Sequence, residues 1–241
     1  MKVVMAIVGL LALGGCATDG RSPWLALPGG TASCAKLSSE QELSVSMADD
    51  MVNEGRLHAG LANLQRLPEN LGEVRLRQAR IYRLLGRSEA EPLYRSLLGT
   101  CLAAQGEHGL GQLSAARGDH GQAMNHMLRA ARLDPTDEKV RNDLGVVYLN
   151  QHRVEDARFE FITAMELKQS DTLAAVNMVT LLIYQDNWKQ AAELVDRAGL
   201  SPQQVTDAQA RAEKLKQPGT SAARATDQVA VVLDSQFGNA K

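Results

Sequence analysis

The chain has 241 residues, of which 44% are hydrophobic, only 4% are aromatic and 22% are charged, and its formal net charge is −2. Abundant alanine and leucine with so few aromatic residues favour helices over a β-sandwich. Because the net charge is close to zero and no dense cluster of lysine and arginine stands out, the composition argues against a nucleic-acid partner.

The chain begins with one apolar run, residues 3–13, in the stretch MKVVMAIVGLLALGG. This run is much shorter than the roughly 20 residues that a membrane-spanning helix needs. Lys2, the apolar run and the small residues after it match the three parts of an export signal. We therefore predict a signal peptide over residues 1–15.

The tetrapeptide LGGC at residues 13–16 resembles the lipobox of bacterial lipoproteins, whose cysteine accepts a diacylglycerol and becomes the new N-terminus. The resemblance implies a covalent lipid on Cys16 and no other cofactor. Ala17 stands where an inner-membrane retention signal would have aspartate. The implied location is the periplasmic face of the outer membrane, where two or more acyl chains give a stable anchor. The alternative is an ordinary secretory signal with a cysteine near its cleavage site.

Residues 16–37 form the predicted lipidated N-terminus and a flexible linker, because proline, glycine and small polar residues are frequent there. Trp24 interrupts this composition, and it either docks on the first helices of the body or contacts lipid headgroups or a partner. If Cys16 is lipidated, Cys34 and Cys101 remain. In the oxidising periplasm they are a possible disulfide pair.

From about residue 104 the sequence repeats itself every 34 residues. The middle copy carries Leu144, Gly145 and Tyr148, followed by Ala157 and Phe161. This order and spacing resembles a tetratricopeptide (TPR) repeat, a helical hairpin of 34 residues. Small residues let the two helices approach closely and large residues fill the remaining gap, so we interpret the pattern as core. Equivalent positions in the three copies are Leu110, Leu144 and Met178, and Ala123, Ala157 and Ala191.

Two degenerate copies precede the regular ones, with Gly55 and Gly86 at the expected turns between helices. We predict an all-α fold in which residues 38–216 form a TPR superhelix of about five helical hairpins with a C-terminal capping helix that starts at Ser201. Residues 217–241 are the predicted flexible tail. Its apolar run VAVVL is either disordered or borrowed by a partner.

Sequence patterns for catalysis are missing. The five histidines form no spaced metal pair, and neither Cys-x-x-Cys, His-Glu-x-x-His, a nucleophile elbow nor a phosphate loop occurs. The carboxylate pairs at residues 49–50 and 137–138 are interpreted as solvated charges or dipole complements. We therefore expect no enzyme activity, no catalytic residue, no metal and no small-molecule substrate.

A TPR array offers instead a concave groove, lined by the first helix of each hairpin, that binds a protein. Aliphatic residues that the repeat pattern does not need suit an amphipathic helix or an extended apolar peptide, with Leu149, Ile183 and Tyr184 as anchors. The alternative is that the superhelix closes over them. The lysine and asparagine constellation of carboxylate-clamp TPRs is not found. The predicted groove residues are His108, Gln112, Asn142, Val146, Leu149, Asn177, Thr180, Ile183 and Tyr184.

A lipobox followed by a short TPR array, over residues 1–216, is similar to the TadD-type lipoproteins of tight-adherence (Flp, Tad) pilus systems. The resemblance implies a pilotin-like role, namely assisting the localisation or assembly of the outer-membrane secretin. The implied partner is that secretin or another pilus assembly component. Two alternatives are a pilotin of type IVa pili and a scaffold for cell-wall hydrolases or other envelope enzymes.

Overall fold

A computed structural model describes residues 35–217 of the chain. The predicted signal peptide, nearly all of the predicted linker and residues 218–241 of the predicted tail lie outside the described residues. Within the described part, all regular structure is helical, in eleven α-helices, and this confirms the predicted all-α class.

The first ten helices pair in chain order into five hairpins, as the repeat predicts. The eleventh packs on the ninth as the predicted capping helix. The hairpins are α1 (Ser39–Asn53) with α2 (Leu57–Leu64), α3 (Gly72–Leu84) with α4 (Ala90–Arg95), α5 (Ala103–Ala116) with α6 (His120–Leu133), α7 (Glu138–Asn150) with α8 (Val154–Leu167), and α9 (Leu173–Tyr184) with α10 (Trp188–Ala198). The capping helix is α11 (Pro202–Lys216).

Each hairpin turn contains one residue in the left-handed backbone region. In the first three hairpins this residue is Gly55, Gly86 or Gly118, with φ between 68° and 75°. In the last two it is His152 (φ 59°) and Asp186 (φ 60°). Glycine adopts this conformation without steric cost, whereas a side chain costs about 1–2 kcal/mol. The two degenerate copies therefore keep the turn geometry of the regular ones.

The capping helix starts where its sequence predicts. The Ser201 hydroxyl accepts a hydrogen bond from the backbone N–H of Gln204 (3.3 Å), and the Gln204 side chain accepts one from the Ser201 N–H (2.8 Å). This reciprocal capping box satisfies two backbone donors that the first turn would otherwise leave unpaired. Ser38 and Gln41 form the same box at the start of α1.

The interior of each regular hairpin packs small residues against large ones. Ala123, Ala157 and Ala191 are at most 4% exposed, which confirms that the repeat pattern is core. At Gly145 an added Cβ would lie 2.5 Å from a ring carbon of Phe161, so only glycine allows this approach of α7 and α8. Successive first helices also contact one another, from α1 through α9. Their shared surface is called the first-helix face below.

Candidate partner-binding face

The nine predicted groove residues all lie on first helices, two on α5, three on α7 and four on α9. Their exposure divides them into two groups. His108, Gln112, Val146 and Tyr184 are partly exposed. The other five are buried, with 3–6% of their surface accessible. These five are Asn142, Leu149, Asn177, Thr180 and Ile183.

The prediction that Leu149 and Ile183 are exposed anchors for a peptide is wrong. They are 4% and 3% exposed and belong to the largest core cluster. The reason is that α9 packs against α7, α8, α10 and α11, so residues 174–183 are buried without interruption. Here the array closes over its aliphatic residues. Glutamate at either position would test folding rather than binding, because it would bury an unpaired charge.

Asn142 and Asn177 belong to a chain of hydrogen bonds, called the polar ladder here, that joins four helices, α5, α7, α9 and α11. The Asn177 amide donates to the Asn142 side-chain oxygen (2.8 Å), and the Asn142 amide donates to Asp143 (3.2 Å). Arg211 of the capping helix donates to the Asn177 oxygen (3.2 Å). Buried amides that are satisfied in this way fix how neighbouring helices align. These two asparagines therefore stabilise the alignment of the helices that form the first-helix face.

The polar ladder continues to α5 through Asp143. His108 Nε2 lies 2.7 Å from Asp143 Oδ2, and the Gln112 amide donates to the same oxygen (2.8 Å). Desolvation raises the pKa of Asp143, but the hydrogen bonds from His108 and Gln112 and the charges of His108 and Arg83 lower it more, so that the pKa falls below its ordinary value. An ionised carboxylate thus lies on the first-helix face. It forms hydrogen bonds with His108 and Gln112, the two α5 residues that were predicted to bind a partner.

Two arginines of α3, Arg80 and Arg83, are functional candidates that the sequence interpretation missed. Arg80 lies as far before Gly86 as the predicted groove residue Gln112 lies before Gly118. Aligning the copies on their turn glycines would have found it. The regular copies alone do not indicate it, and the arginines of α3 are spaced along the helix and form no consecutive basic run.

Tyr184 is held at the end of α9 by the preceding hairpin turn. Its hydroxyl lies 2.9 Å from Nδ1 of His152, and the two rings are 5.9 Å apart between centroids. His152 is one of the two non-glycine residues with a left-handed backbone. Tyr184 and Val146 are thus the apolar groove residues that keep partial exposure on this face.

Cys101 lies in the connection between α4 and α5 and is disulfide-bonded. The chain has three cysteines, and the other two, Cys16 and Cys34, lie outside the described residues. The pairing with Cys34 therefore stays a prediction, as does the lipid on Cys16.

Neither a metal site nor a membrane span is found between residues 35 and 217. No group of three or more histidine, cysteine, aspartate and glutamate side chains in this range could hold a metal ion. None of the helices in the same range combines the length and the hydropathy that crossing a bilayer requires.

Five stacked hairpins with a capping helix, and a first-helix face of partly exposed polar side chains, define a tetratricopeptide array. No protein-family model matches the chain. The TPR repeat-containing protein PA4299 of Pseudomonas aeruginosa is 44% identical over 217 residues, which cover 88% of this chain and 85% of that protein. The chain belongs to the same family of TPR repeat-containing proteins. TPR folds are typically protein-interaction scaffolds and not catalysts.

Two solved structures share this fold at low sequence identity. TTC0263, a thermophilic TPR protein of Thermus thermophilus, is 19% identical with a TM-score of 0.60, and covers 72% of this chain and 97% of its own. The pilF structure from Pseudomonas aeruginosa is 15% identical with a TM-score of 0.57, and covers 83% of this chain and 92% of its own. At such identities the similarity is one of fold.

Proposed function

We propose that this chain is a lipid-anchored TPR lipoprotein that assists the outer-membrane secretin of a tight-adherence (Flp) pilus to reach its membrane or to assemble. The observation that carries the proposal is the order of its parts, a lipobox-like LGGC at residues 13–16 followed by a TPR array with a polar first-helix face. The array supplies a surface for a protein partner, and the lipid supplies the location at which the partner is needed.

A type IVa pilus pilotin is the second candidate. The shared fold with pilF of Pseudomonas aeruginosa, over 83% of this chain, is the observation that favours it. Genes for a tight-adherence pilus next to the coding sequence would favour the first candidate, and genes for a type IVa pilus the second. A scaffold for cell-wall hydrolases is the remaining alternative.

The test replaces the proposed acyl acceptor. Cys16→Ser leaves the described array unchanged in sequence, so we expect normal folding but loss of the protein from the outer membrane. The amounts of secretin multimers and of surface pili should then both decrease, because this chain no longer reaches the outer-membrane secretin. Cell fractionation, secretin immunoblots and pilus counts measure the three effects.

Ala17→Asp is the matched control, because it keeps the lipid on Cys16 and changes only the residue that would decide between the inner and the outer membrane. If location matters, this variant should stay in the inner membrane and reduce pili as Cys16→Ser does. Normal pili in cells with a verified non-lipidated protein would refute the proposal. Loss from the membrane with intact secretin and altered cell shape would favour the hydrolase scaffold.

A further inference from the structure

The arginines of α3 differ in how they are partnered. Arg77 forms an ion pair with Asp49 of α1 (2.9 Å between Nε and Oδ2) and another with Glu73. The guanidinium groups of Arg80 and Arg83, which follow at intervals of three residues, form no hydrogen bond or ion pair with any residue between 35 and 217. Two cations therefore lie side by side on α3 without a direct anionic partner in this range.

Neither guanidinium lies free in bulk water. Nε of Arg83 is buried and donates to no acceptor in the described part of the chain. Burial lowers the pKa of Arg80, the charge of Asp49 opposes this, and the neighbouring charges of Arg83 and Arg77 lower it further. A buried donor without an acceptor lowers stability, and so does the repulsion between two neighbouring like charges. A bound anion would accept a hydrogen bond from that donor and would offset the repulsion between the two charges.

The arginine pair belongs to the first-helix face. Arg80 corresponds to Gln112 of the next hairpin, and the charge of Arg83 contributes to lowering the pKa of Asp143 of α7. Asp49 and Asp143 are thus carboxylates whose charges interact with this pair.

We propose that Arg80 and Arg83 bind the carboxylate side chains of an acidic segment of a partner protein on the first-helix face. This inference rests on the proposed function, since it names the chemistry of the partner that the array would recognise. Guanidinium groups match carboxylates as two-pronged donors, and partial burial strengthens such bonds. The net charge of −2 favours a short acidic segment over a phosphate backbone.

The test removes the two charges together and compares the result with an equal change elsewhere. The test variant is Arg80→Gln with Arg83→Gln. The matched control is Arg132→Gln with Arg197→Gln, because both arginines are exposed, lie in the last turns of α6 and α10, and have no ion pair within residues 35–217. Both variants lower the net charge by the same amount.

The probe is a fluorescein-labelled, C-terminally amidated oligoglutamate peptide, with oligoglutamine as its neutral counterpart. Fluorescence anisotropy with the full mature chain measures affinity at several salt concentrations. We expect the wild-type chain to prefer oligoglutamate and to lose affinity as salt rises. The Arg80 and Arg83 variant should bind roughly tenfold more weakly, while the Arg132 and Arg197 variant stays within about twofold of wild type.

Thermal unfolding separates loss of the site from loss of the fold. Removing two neighbouring, partly buried cations should leave the melting temperature unchanged or raise it. If the double variant melts lower, the single variants Arg80→Gln and Arg83→Gln replace it, and each should still weaken binding. Equal affinity for oligoglutamate and oligoglutamine, or equal losses in the test and control variants, would overturn the inference.

The outcomes also separate this inference from the proposed function. Weakened peptide binding by the Arg80 and Arg83 variant, together with normal pili in Cys16→Ser cells, would support the acidic-segment site and refute the pilus role. Unchanged peptide binding together with lost pili in Cys16→Ser cells would do the reverse.

Discussion

Replacing Gly145 by alanine tests whether close approach of the two helices decides the stability of a hairpin. Gly145 lies inside α7, where alanine would normally stabilise a helix by about 0.8–1 kcal/mol. Its added Cβ would lie 2.5 Å and 2.7 Å from two ring carbons of Phe161. Carbon atoms pack best at about 3.5–4.0 Å. Phe161 is 0% exposed, so the ring cannot turn away into solvent.

The two effects oppose each other, and the clash is the larger. Overpacking a filled core costs about 1–3 kcal/mol, and a contact this short belongs to the upper half of that range. After the helix-propensity gain is subtracted, Gly145→Ala should lower the free energy of unfolding by about 1–2 kcal/mol. For a domain of this size that corresponds to a melting temperature lower by roughly 2–8 °C.

The assay is urea unfolding followed by circular dichroism, with Gly121→Ala as the matched control. Gly121 is an exposed glycine in the first turn of α6, and its added Cβ would meet only Asp119 Oδ1, at 3.6 Å. That variant should be stabilised by about 0.5 kcal/mol. Combining Gly145→Ala with Phe161→Leu should cost less than the sum of the two single changes, because the smaller side chain makes room. Equal shifts in both alanine variants, or strictly additive costs, would refute the reasoning.

Two further predictions concern charge and covalent linkage. Desolvation raises the pKa of Glu107, but hydrogen bonds from Arg129 (2.8 Å) and His126 (2.6 Å) lower it below its ordinary value. Its ionised form thus adds stability above the unfolded pKa of about 4.3, and this is lost as pH falls through the folded pKa. Glu107→Gln should therefore be less stable at pH 7, with the gap in urea unfolding closing in acid; a constant gap would contradict this. For Cys101, non-reducing peptide mapping should recover a link to Cys34, and reduction should cost about 2–4 kcal/mol; two free thiols in the unreduced protein would exclude the pairing.

The sequence determined the class of fold because the information for a TPR hairpin is local. Gly145 and Phe161 are spaced so that the two helices of one hairpin meet, and a serine followed three residues later by glutamine starts the capping helix. These features depend on a short stretch of chain, so the number of hairpins and the cap followed from spacing alone. His152 and Asp186 are weaker local signals than glycine, since histidine and aspartate are enriched among the non-glycine residues of left-handed turns but also occur in many other conformations.

Only the tertiary structure decided which residues remain on the first-helix face. The repeat pattern states which side of a helix meets its own hairpin partner, but the opposite side of α9 becomes covered only when α11 packs on it. Ile183 on α9 is therefore core, and Leu149 on α7 lies in the same core cluster, although the pattern leaves both positions free. Whether Arg80 and Arg83 find a side-chain partner likewise depends on which residues the neighbouring helices place beside α3. The burial of a side chain and its hydrogen-bond partners depend on neighbouring helices that lie far apart in sequence. The sequence of one repeat therefore does not predict which of its residues stay exposed or unpaired.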